Sequence, residues 1–140
     1  MKNLVIAKSF IFDANGKLLV LTRSTTHSSR GGWPDIPGGH AEKGEASYEA
    51  VAARELSEET GLSMNPSQLQ LFFTNTHYDT GTNAIRFFYA GTLSEEEPAV
   101  VLSDEHEAYR WVAPEDVDDA LEQDSHKLMV YHYGLRNHLF

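Results

Sequence analysis

Ser47-Tyr48-Glu49-Ala50-Val51-Ala52-Ala53-Arg54-Glu55-Leu56-Ser57-Glu58-Glu59-Thr60-Gly61 reads as one complete helix with both its ends marked. A serine at the first position can accept an orphan backbone amide and so cap the N-terminus. A glycine at the last can take the left-handed conformation that stops a helix. The pattern predicts a helix over about Tyr48–Thr60. Glu55, Glu58 and Glu59 then stand at i, i+3 and i+4, within a sector of roughly 100°. Each like-charge pair costs roughly a few tenths of a kcal/mol, and anions close to a helix C-terminus oppose the macrodipole. Stability alone does not favour this arrangement. A hard divalent cation with oxygen ligands resolves it, and local rule-breaking is expected at functional sites. The same residues also fit a plain exposed polar face, so the helix by itself leaves both readings open.

Immediately upstream, Pro37-Gly38-Gly39 is expected to form a tight turn whose backbone can approach a ligand and present carbonyl or amide groups. It can set a carbonyl beside the carboxylates. Glu45 follows Gly44 and is placed to reach Arg54, whose guanidinium would then be a fixed fork orienting a neighbouring carboxylate. Taken in order, Gly39, Glu45, Arg54-Glu55-Leu56, Glu58-Glu59 and Gly61-Leu62 form a set far more specific than any member.

The segment from Gly39-His40-Ala41-Glu42-Lys43-Gly44-Glu45 through Arg54-Glu55-Leu56-Ser57-Glu58-Glu59-Thr60-Gly61-Leu62 resembles the Nudix box of the Nudix (MutT-like) hydrolases. The box is about a sixth of the 140 residues. The order of strands and helices around it resembles that family's α/β/α sandwich over nearly the whole chain. The resemblance implies an α/β fold with a mixed β-sheet flanked by helices, in a single domain over residues 1–140. It also implies hydrolysis of a diphosphate linkage in a nucleoside diphosphate derivative with Mg²⁺ or Mn²⁺. A nucleoside triphosphate pyrophosphohydrolase is the leading expectation. The alternatives are a pyrophosphatase for ADP-ribose, a nucleotide sugar or a dinucleoside polyphosphate, or a catalytically silent nucleotide sensor. The silent reading ranks last because every carboxylate of the box is present.

Carried over by position, Glu55, Glu58 and Glu59 would hold the metal, with the carbonyl of Gly38 as a further ligand and Arg54 orienting the carboxylates. The attacking water's proton would pass to Glu58 or to Glu105, which precedes Tyr109-Arg110-Trp111. Glu105 equally fits a solvated loop acid beside Asp104 and Glu107. One departure stands out: residues 46–53 put eight positions between Glu45 and Arg54, one more than the family pattern. Ser47-Tyr48-Glu49 aligns with the family's helix start, so the extra residue falls at Ala46, before the cap, and the carboxylate register is kept. A bulge within the helix is the alternative. The insertion bears on the contact between Glu45 and Arg54.

Substrate signals are weaker. Arg23 and Arg30 flank a polar loop and fit either a terminal-phosphate site or a solvated surface. Trp33 fits stacking on a base or packing beneath the glycines. Tyr78 lies sixteen residues beyond Leu62, a spacing that resembles a tyrosine of the dinucleoside-polyphosphate subgroup. His77, Arg86 and Phe88 are further candidates for the cleft. The proline of the ADP-ribose subgroup has no counterpart, since none occurs between Pro66 and Pro98. His126, His132 and His138 form no zinc spacing.

Outward from the box, residues 4–12 and 17–22 read as strands joined by Asp13-Ala14-Asn15-Gly16 into a hairpin, and 25–32 as a loop. Residues 69–76 and 84–93 read as strands joined over 79–83, and His106–Val112 as a further strand. Pro114 opens a short helix, and Ser125 caps a last one running toward Leu139. The composition, 41% apolar and 11% aromatic, supports a real core. With no cysteine, disulfides and thiolate–metal sites are excluded. A net charge of −10 argues against a broad nucleic-acid face, leaving a small-molecule nucleotide as the expected partner. Lys8 interrupts the first apolar run before it reaches signal-peptide length, and no stretch nears the roughly 18 apolar residues of a membrane span. A cytoplasmic protein without membrane contact is expected, as monomer or homodimer. Phe72, Phe87 and Tyr89 fit either a dimer face or the core.

Overall fold

The computed structural model describes residues 2–26 and 29–140, with Asp79 described by its backbone alone. Residues 27 and 28 of the expected loop over 25–32 lie outside the described residues. The strands are β1 (Lys2–Phe12), β2 (Leu18–Arg23), β3 (Pro34–Asp35), β4 (Gly38–His40), β5 (Gln70–Asp79), β6 (Thr82–Thr92) and β7 (His106–Val112). The α-helices are α1 (Tyr48–Thr60), α2 (Val117–Leu121) and α3 (Ser125–Arg136). All seven strands join one mixed sheet. β1 and β6 run parallel from Lys2↔Thr82 to Phe12↔Thr92, and the other pairings are antiparallel.

The alternation along the central strands explains the layers. Phe10 and Phe12 of β1, Leu18 and Val20 of β2, and Phe88 of β6 point to one face, under α2 and α3 with Val117, Leu121, Val130 and Tyr131. Ala7, Ile11, Leu19, Leu21 and Tyr89 point to the other, under α1 with Val51, Ala52 and Leu56. Each fully buried Val, Leu, Ile or Phe among them contributes roughly 1.5–3 kcal/mol. The result is the expected α/β/α sandwich.

The sheet is forked, and the fork positions the cleft. β1 and β2 pair only at Phe12↔Leu18, so the expected hairpin is a single joint rather than a ladder. Asp13 fixes that joint by accepting the amides of Asn15 and Lys17 at 2.9 Å and that of Glu97 at 3.0 Å. Beyond it the strands take other partners: β2 pairs with β7 and β3, while β1 pairs with β4 at Ile6↔His40, Ala7↔Gly39 and Lys8↔Gly38.

Several expectations change. Residues 33–39 are not a tight turn but carry the two short strands β3 and β4. Gly38 (φ 151°) and Gly39 serve close packing there. A Cβ on Gly38 would collide with the carbonyl of Ala7 and lie 2.6 Å from Lys8 Cα, and one on Gly39 would lie 2.7 Å from the Glu55 carboxylate carbon. The strands β5 and β6 extend further than expected, leaving only Thr80 and Gly81 between them. Asp124, not Ser125, caps α3, accepting the amide of Lys127 at 3.2 Å. Phe88 and Tyr89 lie in the core rather than at a cleft or dimer face.

Candidate active site

Helix α1 forms as its ends dictate. Ser47 Oγ accepts the Ala50 amide at 3.1 Å, and Gly61 at φ 72° returns its amide to the Ser57 carbonyl at 2.9 Å. The helix is continuous from Tyr48, so the extra residue at Ala46 is absorbed before the cap and no bulge arises. Glu45 reaches Arg54 despite the insertion, in a two-pronged contact of 3.0 Å to Nε and 2.9 Å to Nη2. The same guanidinium donates to Glu55 at 2.9 Å, to Glu58 at 3.0 Å and to the His40 carbonyl at 2.9 Å. Arg54 thus ties α1 to β4 and holds two of the three helix carboxylates. Its hydrogen bond to Glu45 raises its pKa further and draws the Glu45 carboxyl down.

The third carboxylate differs. Glu59 belongs to the buried face of α1 with Val51, Ala52, Leu56 and Thr60. Its Oε1 accepts the Gly38 amide at 3.3 Å, and its Oε2 has no hydrogen-bond partner among the described residues. A strand residue directs its N–H and C=O to the same side, so the Gly38 carbonyl also faces this region. Burial, then the adjoining Glu55 carboxylate, pushes the Glu59 carboxyl up to about 9. A buried, orphaned carboxylate oxygen beside a second carboxylate lacks a positive charge, and a divalent cation fits that donor set.

Between the diverging strands lies a cleft of about 570 Å³, lined among others by Lys8, Arg23, Asp35, Glu55, Glu105 and His106. A hollow at its edge brings Glu105, Asp104 and Ser103 beside Glu55, Glu58 and Glu59. The loop before β7 and helix α1, far apart in sequence, therefore meet. Glu59, Glu105 and His106 form a cluster able to hold a metal, with ligand atoms within 4.8 Å of one another.

At the base of the cleft Asp35 is 1% exposed. Its carboxylate takes Lys8 Nζ at 2.7 Å, His106 Nε2 at 2.8 Å and Arg23 Nη1 at 3.2 Å, with Lys127 Nζ at 3.5 Å. Burial alone would raise the carboxyl, but Lys8, then His106 and Lys127, hold it well below its ordinary value. Lys127 is shared with Asp124 at 2.6 Å.

Of the residues expected at the site, Gly38, Arg54, Glu55, Glu58, Glu59 and Glu105 gather in one place, and Arg23 lines the cleft. Arg30 and Trp33 pack on each other, guanidinium to ring centroid 5.1 Å, and neither lines it. Tyr78 is 61% exposed near the tip of β5, its hydroxyl accepting the Gly81 amide at 3.3 Å. His77 is exposed on the same strand, and Arg86 donates to Asn75 at 3.2 Å. Lys8, Asp35 and His106, to which the sequence assigns no role, also belong to the site. The available signal was a charged residue inside an apolar strand, at Lys8, and inside the Trp33–Pro37 run, at Asp35.

The NUDIX domain profile matches residues 2–132. The MutT protein from Methanosarcina mazei Go1 superposes with a TM-score of 0.70 at 28% identity, covering 84% of this chain and 82% of that one. A C. elegans Ap4A hydrolase binary complex superposes with a TM-score of 0.72 at 22% identity, covering 98% and 99%; at that identity the likeness is one of fold. Isopentenyl-diphosphate Delta-isomerase 2 of Photorhabdus laumondii subsp. laumondii is 35% identical over 107 residues, 74% of this chain. The chain spans 58% of the length of that relative. A match running from β1 into α3, over a helix whose arginine and glutamates stand against the glycine strand, identifies the chain as a member of the NUDIX domain family.

Proposed function

We propose that this protein hydrolyses a phosphoanhydride bond in a nucleoside diphosphate derivative, with Mg²⁺ or Mn²⁺, and that a nucleoside triphosphate is the first substrate class to test. The observation that carries this reading is Glu59, a buried carboxylate with one oxygen unpartnered among the described residues, set between the Gly38 amide and Glu55. Glu55, Glu58 and Glu59, with the Gly38 carbonyl, would hold the cation. When bound, the cation would neutralise phosphate charge and acidify a water.

The chain's own groups do the rest. Arg54 fixes Glu55 and Glu58 in place. Lys8 and Arg23, both paired with Asp35, bring positive charge to the cleft lining, where a polyanionic substrate needs it. Water oxygen bonds to phosphorus, the bridging P–O bond breaks, and the water's proton passes to a carboxylate. Glu58, 57% exposed, and Glu105 both stand at the hollow where that water would sit. The surroundings proposed for the protein are cytoplasmic, as monomer or homodimer. Among the described residues no helix is long and apolar enough to cross a membrane.

The test is a substrate panel with Mg²⁺ or Mn²⁺ and identified products, run on the parent, Glu58→Gln and Glu105→Gln. Pyrophosphate release from triphosphates supports the first substrate class. Two mononucleotide-type products point to ADP-ribose, nucleotide sugars or dinucleoside polyphosphates. Loss of about 10²–10⁴-fold in one variant, persisting at saturating cation, names the proton acceptor; a loss that added cation restores marks a ligand. Isopentenyl diphosphate belongs in the panel because of the 35% identity to the isomerase. Cation-dependent nucleotide binding without turnover of any member would mean a silent sensor and overturn the hydrolase reading.

A further inference from the structure

Unpartnered buried atoms converge beside the carboxylate helix. Among the described residues, Glu59 Oε2, Ser103 Oγ and His106 Nδ1 have no hydrogen-bond partner. Ser103 and Glu59 line the hollow next to α1, and His106 lines the cleft it opens into. Glu105 lines both. The Glu59 and His106 side chains are each only 3% exposed, with His106 Nδ1 3.9 Å from Glu59 Oε1. That is too long for a hydrogen bond, and it exceeds by about half an ångström the spacing of neighbouring ligands on one ion with bonds of roughly 2.0–2.2 Å, so a bound ion would draw the two together.

The orientation of the imidazole is fixed from behind. Asp35, ionised, can only accept, so the proton lies on His106 Nε2, 2.8 Å from the carboxylate. Lys8, Arg23 and Lys127 hold Asp35 in turn, so the carboxylate cannot rotate away. Nδ1 is left facing Glu59. This is the carboxylate–histidine pairing that prepares an imidazole to bind a metal through its other nitrogen.

We propose that Glu59, Glu105 and His106 Nδ1 form a mixed oxygen–nitrogen cation site, with Asp35 as its positioning residue, and that this site takes Co²⁺, Mn²⁺ or Zn²⁺ in preference to Mg²⁺. Mg²⁺ asks for hard oxygen ligands and retains water, whereas imidazole suits the later first-row ions. Ligand atoms within 4.8 Å close onto one ion with bonds of roughly 2.0–2.2 Å after small side-chain shifts. The site shares Glu59 with the hydrolytic centre, but its test requires no turnover.

The probes are the metals alone, on the full chain. Mn²⁺-loaded parent protein should show nitrogen coupling in pulsed electron paramagnetic resonance, and His106→Gln should lose it. Calorimetric Co²⁺ affinity should fall about 10–100-fold in His106→Gln and Asp35→Asn, while Mg²⁺ affinity is unchanged. Because His106 and Asp35 are buried, Glu105→Gln at an exposed position supplies the variant that keeps the fold, and its Co²⁺ affinity should fall about tenfold or more as well. Absence of nitrogen coupling in the parent, its persistence in His106→Gln, or unchanged Co²⁺ affinity in Glu105→Gln would overturn the site. Nitrogen-ligated binding without hydrolysis would leave this site standing and remove the hydrolase reading; hydrolysis with oxygen-only binding would do the reverse.

Discussion

Two charged centres flank Glu59, and they are mirror images. Arg54 is one cation among four carboxylates, those of Glu42, Glu45, Glu55 and Glu58. Asp35 is one carboxylate among Lys8, Arg23, His106 and Lys127. The first is the more open, with side-chain exposure of 67% at Glu42 and 57% at Glu58 around an Arg54 at 22%. The second is buried at its heart, with Asp35 at 2%, and reaches the cleft through Arg23 at 32%. Exposed ion pairs contribute little to stability, whereas breaking a buried one leaves desolvated charge behind. Substitutions in the outer centre should therefore cost chiefly turnover, whereas those at the heart of the inner one should cost stability as well.

The largest effect is expected at Glu59, which stands between the centres. Glu59→Gln should lower turnover by about 10³-fold, within the range of losses at electrostatic centres of active sites. It should also stabilise the cation-free protein in alkaline solution. The Glu59 carboxyl is raised to about 9 in the folded chain, so the folded state binds more protons than the unfolded one between roughly pH 4.5 and 9. Stability is complete below that window and falls as pH rises through it. Thermal melts without divalent cation should show Glu59→Gln above the parent at pH 8 and level with it at pH 4. Equal melting at both pH values would mean that Glu59 is not held protonated.

Next in size, Asp35→Asn should cost about 3 kcal/mol or more by denaturant titration, because Lys8 stays buried without its counter-charge while Lys127 keeps Asp124. Here the sign is opposite. The Asp35 carboxyl is held well below its ordinary value, so its contribution is present above that value and is lost as pH falls through the folded one. A parent–variant gap that does not narrow in acid would break the assignment. Arg54→Lys keeps the charge but loses the fork. It should reduce kcat by about 10–100-fold with a stability change of about 1 kcal/mol or less. A large stability loss would erase the contrast between the centres. The smallest effect is expected for Tyr78→Ala, at an exposed strand position: about 0.5 kcal/mol or less in stability, with kcat/KM little altered. A clear rise in KM would instead extend the substrate contact to the tip of the β5–β6 hairpin.

The same contrast explains what could be read from the chain alone. Arg54 and its partners lie within sixteen positions along the sequence, from Glu42 to Glu58, and helix period and caps bring them together. Partners of Asp35 come from positions 8, 23, 106 and 127, on three strands and a helix. No local rule joins them, so Lys8 read as an interruption and His106 as a strand's first residue. Gly38 and Gly39 pointed to a turn because glycine is permissive. What requires them is the closeness of β1 and the Glu55 carboxylate, which only the folded chain discloses. Ser125 and Asp124 compete for one cap, and the choice falls to Asp124, already anchored by Lys127.

The parallel ladder between β1 and β6 bears on how the molecule is made. Its eleven pairs join residues eighty apart, Lys2 with Thr82 through Phe12 with Thr92. During synthesis the first strand must wait, unpaired on that side, until β6 has emerged. Such distant pairing is slow and leaves apolar strand edges open meanwhile. The helix with the glutamates is complete by residue 60, whereas Lys8 gains its ladder partner Phe88 much later. A nascent chain therefore carries the helix carboxylates of its centre well before Lys8 is locked in, and the time between the two is when a chaperone has most to protect.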